Sequence, residues 1–463
     1  MIKTTAIILA AGLGSRMKSP LPKVLHPVGG KPMIARLLNQ CLLAGFNESR
    51  LVIGHGSELV QQVVQPVIHQ MSVDMTTTVH QQKEQLGTAN AVLSADIDSL
   101  EGLVVIMGGD HPLLFADDLK LFITEFLNKN LDLGVVTVEL SNPSEFGRIV
   151  RQGPQLKAIV EAKDASVETL KIKEVNTGIY ILKSELLKKY LPQIKNNNSK
   201  KEFYLTDIVS MAIEKGHSVQ AISSLNLNVA HGVNTQVELA SANEILFQKK
   251  ATELMNNGVI FLDPKTCYIE ESVLIGAGSV IYPGVFIRGQ TVIGPFSVIE
   301  PHVFISDSIL ADGVQIKAGS YIEKAQIKSQ VHIGPYARIR SETIIEEKAH
   351  IGNFVELKKV HFGARSKAGH LSYLGDAEIG EDVNIGCGTI TCNYAPDKKK
   401  YKTKIGDRVF VGSDTQFVAP VEIESDAMIA SGSTITMSVP SEALAIARAR
   451  QENKPGLAKK FRK

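Results

Sequence analysis

Tryptophan is absent from this 463-residue chain, cysteine occurs four times, and aromatic residues make up only 6%. Proteins that hold single-stranded nucleic acid stack bases on aromatic rings, and this chain has few to offer. It also lacks an excess of charge. Fifty lysines and arginines stand against 48 acidic residues, leaving +2, so no broad field draws nucleic acid or an anionic membrane. No apolar run nears the ~18 residues that span a bilayer. The apolar stretch between Lys3 and Ala10-Ala11 barely reaches the hydrophobic minimum of a secretory leader and runs at once into a glycine loop, so it reads as a strand. Cys41, Cys267, Cys387 and Cys392 show no C-x-x-C spacing, which argues against a structural zinc site and a disulfide framework. Reduced thiols and a cytoplasmic location are the expectation. Hydrophobic residues, at 44%, suffice for packed cores, and the length predicts two to four domains at ~100–200 residues each.

The chain changes character near residue 230. Before it, apolar runs such as Ala6–Leu9, Leu51–Ile53, Leu103–Ile106, Val135–Val138 and Ile179–Leu182 alternate with helix-like stretches such as Met33–Leu43, Asp117–Phe126 and Thr206–Lys215. That alternation predicts an α/β domain on a mostly parallel sheet. Thr235–Asn256 contains neither Gly nor Pro and predicts a long helix, stopped by Asn256-Asn257-Gly258.

After Leu262 a period of six appears. Ile275, Ile281, Ile287, Ile293, Ile299 and Ile305 follow without a break; the beat returns at Ile333, Ile339, Ile345, Ile351 and Leu357, and again at Ile405, Val411, Phe417, Ile423, Ile429 and Ile435. Neither a helix nor a plain strand selects every sixth position. A coil with flat six-residue faces does, each beat residue pointing into one shared interior. Lys358–Asp376 and Asn393–Lys404 break the beat and read as insertions projecting from the array. The chain ends in a basic tail that includes Lys459, Lys460, Arg462 and Lys463, read as a solvated face. The organisation predicted is residues 1–230, a linker helix at 231–257, and a solenoid with its tail at 258–463.

Strand Ala6–Leu9 leads into Ala10-Ala11-Gly12-Leu13-Gly14-Ser15-Arg16-Met17. Glycines at a strand end let backbone N–H groups approach a phosphate. A dinucleotide fingerprint would need Gly at Met17, and a P-loop would need Ser or Thr at Pro32. Arg16 and Leu21-Pro22-Lys23 add fixed positive charge to the same loop. Strand Leu103–Met107 ends in Gly108-Gly109-Asp110, putting a carboxylate at the sheet's ligand edge. Taken alone, Asp110 reads as a turn former before Pro112, and Asn234 as an N-cap for the long helix.

The series L-A-A-G-x-G-x-R-M, then L-P-K, resembles the sugar-1-phosphate nucleotidyltransferases. With the solenoid and Lys367–Asp376, which holds His370 beside Gly, Tyr and Lys, essentially the whole chain resembles the bacterial bifunctional N-acetylglucosamine-1-phosphate uridylyltransferase / glucosamine-1-phosphate N-acetyltransferases. The resemblance implies an α/β Rossmann-like nucleotidyltransferase domain, a long connecting helix, and a left-handed parallel β-helix of hexapeptide repeats. It implies acetyl transfer from acetyl-CoA to glucosamine-1-phosphate, followed by Mg²⁺-dependent uridylyl transfer from UTP, in a homotrimer with no nucleic-acid or membrane partner. For UTP and UDP-N-acetylglucosamine it implies Leu9, Ala10, Ala11, Gly12, Lys23, Gln82, Gly87, Thr88, Gly108, Gly109, Asp110, Gly147, Glu161, Asn176 and Asn234. Arg16 and Lys23 would act in catalysis, and Asp110 and Asn234 would hold Mg²⁺. In the solenoid His370 would be the acetyl-transfer base, with Glu356 to orient it. Arg340, Lys358, Tyr373 and Asn384 would bind the amino-sugar phosphate. Cys387, Asn393, Tyr394, Lys400, Ser413, Ser431 and Arg448 would bind acetyl-CoA, with Lys398 and Lys399 as alternatives to Lys400. The sequence departs from the family at Gly108, where Tyr is frequent, and at Cys387 and Ser431, where Ala is.

Rival readings keep the nucleotidyltransferase but give it glucose-1-phosphate with ATP or dTTP, the solenoid serving assembly alone, or make the chain a non-catalytic scaffold. The residues around His370 argue against the first, and Arg16 with Lys23 against the second.

Overall fold

The apolar runs of the N-terminal half alternate in which face each residue serves, and that alternation builds a three-layer unit. The computed structural model describes residues 2–198 and 201–462, so Met1 and Lys463, the outer ends of the leader-like stretch and the basic tail, lie outside it. It separates into two compact units, Met1–Leu246 and Phe247–Lys463.

In the first unit the sheet runs in the order Val219–Ser223, Leu133–Glu139, Glu174–Lys183, Leu103–Gly108, Thr4–Ala10, Glu48–Ile53, Thr76–Gln81. Glu174–Lys183 alone in this series is antiparallel to its neighbours; the remaining pairings are parallel. Parallel strands buried on both faces read as continuous apolar runs. Ala6, Ile8, Val105 and Met107 pack on one side with helices Met33–Ala44, Ser57–Met71 and Ala116–Asn128. Ile7, Val104 and Ile106 pack on the other with Thr88–Leu93, Ser184–Tyr190 and Asp207–Glu214. Leu9 pairs with Gly108, so the two glycine loops leave the sheet side by side at the strands' carboxyl ends.

The predicted helix is present as Gln236–Asn256. In the first unit its Ala242 and Leu246 pack with Met17, Val28, Met33 and Leu113. In the second its Leu254 joins the solenoid core.

The second unit is a left-handed parallel β-helix. Ile281 stacks on Ile299, eighteen residues on, which is three six-residue faces per coil. All the beat residues are buried. Each fully buried Ile contributes about 2 kcal/mol of transfer free energy.

The structure corrects one reading. Lys358–Asp376 is not an insertion. Leu357 stacks on Leu374, Phe362 on Ile379, and Ala368 on Ile385, each seventeen residues on. A coil lacking one turn residue shifts the phase of the beat without leaving the helix, and the interior positions pass to Phe362, Ala368 and Leu374. The gap between Ile305 and Ile333 has the same cause, with Leu310, Ile316, Ile322 and Ile327 inside. Asn393–Lys404 does contain an insertion, because Ile379 stacks on Ile405, twenty-six residues on.

Coil stacking allows little room at Gly352. Ile351 pairs with Ala368, and a methyl group on Gly352 would overlap the Gly369 carbonyl oxygen. Both partners are backbone, so relief requires parting the coils. We expect Gly352→Ala to destabilise the solenoid by about 3 kcal/mol, seen as an earlier urea transition; an unchanged midpoint would contradict this packing.

Candidate functional site

The two glycine loops border a cleft of about 490 Å³ lined by Leu9, Ala10, Ala11, Gly12, Lys23, Gln82, Gly87, Thr88, Gly108 and Asp110. Gly109 is not among the lining residues; its N–H donates to the Leu9 carbonyl at 2.8 Å. Two glycines are sterically required. Gly14 has φ 62°, and a Cβ there would lie 2.8 Å from Lys23 Cβ. Gly87 has φ 118°, and a Cβ would lie 2.6 Å from the Phe203 carbonyl oxygen. Gln82 donates to Asn90 Oδ1 at 2.8 Å, and Thr88 Oγ1 accepts from the Leu205 N–H at 3.0 Å.

Lys23 is the electrostatic centre of the cleft. Its ammonium donates to the Asp110 carboxylate and to Asn234 Oδ1 at 2.9 Å. Burial opposes ionisation of Asp110, but the Lys23 ammonium and the neighbouring His111 outweigh it and hold the carboxyl below its usual range. Asn234 is not the helix cap. Thr235 Oγ1 accepts from the Glu238 N–H at 3.2 Å, and Glu238 Oε2 accepts from the Thr235 N–H at 2.9 Å. This reciprocal capping box frees the Asn234 side chain for Lys23.

Gly147, Glu161 and Asn176 form a second group. A Cβ on Gly147 would lie 3.5 Å from Glu161 Oε1, and the Asn176 N–H donates to the Gly147 carbonyl at 2.9 Å. Asn176 Oδ1 accepts from the Gly178 N–H at 3.0 Å, and Gly178 lines the cleft. Arg16 is not brought in: it is exposed and pairs with Glu145 at 3.4 Å. The cleft also contains Gln85, His111 and Glu202, which the sequence did not single out as site residues. Gln85 donates to the Ala11 carbonyl at 2.7 Å and so braces the glycine loop. Burial lowers the pKa of His111.

In the solenoid, residues scattered in sequence line up along one edge. Asn353 pairs with His370. The register Ala368, Ile385, Val411, Ile429 then places the turns holding His370, Cys387, Ser413 and Ser431 on successive coils, at ~4.8 Å per coil. The Asp414 N–H donates to the Cys387 carbonyl at 2.7 Å, and the Gly432 N–H to the Ser413 carbonyl at 2.8 Å. Arg448 closes the column, its Cδ 3.8 Å from where a Gly432 Cβ would be.

His370 Nδ1 lies 2.8 Å from Asn353 Oδ1. An amide oxygen only accepts, so Nδ1 carries the proton and Nε2 of the neutral ring is left as a base. Within the chain the His370 ring thus meets Asn353, while Glu356, the expected orienting residue, pairs with Arg340 at 2.8 Å. Following the seventeen-residue register back from His370 would have found Asn353.

Arg340 and Lys358 occupy the next edge, with Lys400 from the insertion. The Lys400 ammonium lies against that of Lys358 and lowers its pKa, so these cations group together rather than with the Ser413 column. Tyr373 stacks between Glu356 and Ile390. Asn384 lies on another face, between Lys367 and Phe410. Asn393 donates to the Asp376 carboxylate, and Tyr394 bridges to Lys400 at the base of the insertion. A larger hollow of about 1000 Å³, lined by Glu346, His361, Arg365 and Lys404 among others, holds none of the predicted site residues.

Comparison with known proteins agrees with both halves. Residues 5–226 match the Nucleotidyl transferase family, residues 265–363 the GMPPB C-terminal domain, and residues 402–436 the bacterial transferase hexapeptide family. The "Bifunctional protein GlmU" of Bdellovibrio bacteriovorus is 62% identical over 96% of this chain and 96% of its own length. That of Trichlorobacter lovleyi is 44% identical over 100% of this chain and 99% of its own. A solved putative glucose-1-phosphate thymidylyltransferase from Bacillus anthracis is 25% identical, covering 52% of this chain and 94% of its own, at a TM-score of 0.43, too low to define a shared fold. Identity sustained through both units, and not through one transferable module, establishes that the chain belongs to the bifunctional GlmU family.

Proposed function

We propose that residues 258–463 acetylate glucosamine-1-phosphate from acetyl-CoA, and that residues 1–230 join the N-acetylglucosamine-1-phosphate to UMP from UTP, releasing pyrophosphate, with 231–257 as the linker helix. The observation that carries this reading is the pair of arrangements in one chain: a base column on the solenoid edge and a convergent cation site in the α/β cleft.

At the solenoid, His370 Nε2 takes a proton from the substrate amine as its nitrogen attacks the thioester carbonyl. The C–N bond forms, the C–S bond breaks, and the proton leaves with the CoA thiol. Asn353 holds the tautomer that makes Nε2 the acceptor. Arg340, Lys358, Lys400 and Tyr373 suit the sugar phosphate, because three cations grouped on one edge offset its charge. Cys387, Ser413, Ser431 and Arg448, with Asn393 and Tyr394, offer a track for the coenzyme. Asn384 faces away from Tyr373 within one chain, which favours a homotrimer in which another copy presents it.

In the cleft the nucleophile is a phosphate oxygen, already anionic, so no base is required. The obstacle is repulsion between two anions. The Asp110 carboxylate and Asn234 Oδ1 already converge on one cation, the Lys23 ammonium, and such oxygens suit a hard divalent ion. Mg²⁺ bound there would supply Lewis-acid charge to the phosphate oxygens. Lys23, released to the phosphates, and Arg16, once parted from Glu145, add fixed charge; Gly12 and Gly87 leave backbone close to the nucleotide. Gly147, Glu161 and Asn176 suit the sugar hydroxyls.

Incubation with glucosamine-1-phosphate, acetyl-CoA, UTP and Mg²⁺, followed by mass, is expected to yield UDP-N-acetylglucosamine, CoA and pyrophosphate. If UDP-sugar forms only when N-acetylglucosamine-1-phosphate is added, the acetyltransferase assignment fails. Asp110→Asn is expected to slow uridylyl transfer on the order of 100-fold and to spare acetylation; equal loss of both would signify misfolding. His370→Ala is expected to cost ~10²–10⁴ in acetyl transfer. Asn353→Ala should lower kcat less, with KM little changed; a KM effect alone would remove Asn353 from tautomer control.

A further inference from the structure

The Asp110 carboxylate is held between two nitrogen groups. Its Oδ2 meets the Lys23 ammonium, while its Oδ1 faces His111 Nε2 at 3.6 Å. His111 is only 9% exposed and lines the cleft. Two glycines make room for its ring. A Cβ on Gly108 would stand 2.5 Å from Asp110 Oδ1 and 3.2 Å from His111 Cδ2. A Cβ on Gly232 would stand 3.4 Å from His111 Nε2. The backbone beneath is fixed, because the Val233 N–H donates to the Asp110 carbonyl at 2.8 Å.

We propose that His111 is a positioning residue for uridylyl transfer: it backs Oδ1 of Asp110 so that Oδ2 stays turned toward the cation site. With the backbone tied down, rotation about the carboxylate's terminal bond, which is broad in aspartate, remains. An imidazole against one oxygen narrows that rotation, so that the other of the two equivalent oxygens stays turned to the cation site. The missing side chain at Gly108 goes with His111, since beside that ring a Cβ would claim the space that His111 and Oδ1 share. His111 acts through Asp110 and holds no metal itself.

This inference rests on the reading that Asp110 holds a divalent ion, and the test separates the two. Mn²⁺ binding to the full-length chain without nucleotide would be measured by electron paramagnetic resonance for the wild type and for Asp110→Asn, His111→Val, His111→Gln and Gly108→Ala. Removing a group that orients a metal ligand costs 10–100-fold in affinity, so His111→Val is expected to weaken Mn²⁺ at least tenfold with an unchanged thermal midpoint. His111→Gln, which keeps a polar group beside Oδ1, should recover part of the loss. Gly108→Ala should weaken binding with the imidazole still present, and should hold the proposal testable if His111→Val does not fold. Wild-type affinity in folded His111→Val, with Asp110→Asn impaired, would overturn this inference alone. Wild-type affinity in Asp110→Asn would overturn the metal reading beneath it. Electron spin echo modulation from a directly bound imidazole nitrogen would also overturn the inference, by making His111 a ligand.

Discussion

Registration between adjacent parallel strands decides where the candidate functional side chains lie in both units. In the α/β unit, Thr4–Ala10 and Leu103–Gly108 end level with each other because Leu9 pairs with Gly108. The glycine loop and the acidic loop therefore open onto one cleft. In the solenoid the same hydrogen-bonded register, repeated coil after coil, turns positions far apart in sequence into a straight column. His370, Cys387, Ser413 and Ser431 share an edge because Ala368, Ile385, Val411 and Ile429 share an interior face. Burial of the apolar beat fixes the register, and the register fixes the chemistry. A slip of one residue would turn each strand's side chains over.

How far the sequence disclosed this differs between the two units. The six-residue beat revealed the solenoid because every beat residue meets the same physical demand, a place in a dry interior. It misled at Lys358–Asp376, where a coil one turn residue short carries Phe362, Ala368 and Leu374 inward out of phase. Periodicity reports which residues are buried; it cannot distinguish a lost turn residue from a projecting loop. Asn353 stayed hidden for the same reason, since only the true register pairs it with His370. In the α/β unit the glycines were legible because they are backbone requirements, as at Gly14 and Gly87. Side-chain partnerships were less so. The pairing of Arg16 with Glu145, the bracing of Ala11 by Gln85 and the capping of the long helix by Thr235 all depend on rotamers.

The charges in the cleft follow from what it must receive. Lys23 satisfies Asp110 and Asn234 together, so the buried carboxylate is never left without a cation, which would be costly at this depth. The divalent ion proposed for this site would exchange one partner for another and would not have to meet a bare anion. Lys23 also lies against Gly14, so an ammonium released in that way would stay beside the glycine loop.

The two chemistries make unlike demands, and the two architectures meet them differently. Acetyl transfer needs one neutral base in a defined tautomer and a long track for a coenzyme. A coil that repeats the same corner every ~4.8 Å supplies a track at almost no sequence cost, and a single amide oxygen, that of Asn353, lies against the His370 ring nitrogen. Uridylyl transfer needs no base; it needs several charges from separate segments aimed at one point. A sheet whose strands end together brings Lys23 from one loop, Asp110 from another and Asn234 from just before the long helix to one point. The solenoid gathers its cations, Arg340 and Lys358, from successive coils beside an extended track, whereas the cleft draws its charges from separate loops. That division is sufficient physical reason for one chain to hold two folds.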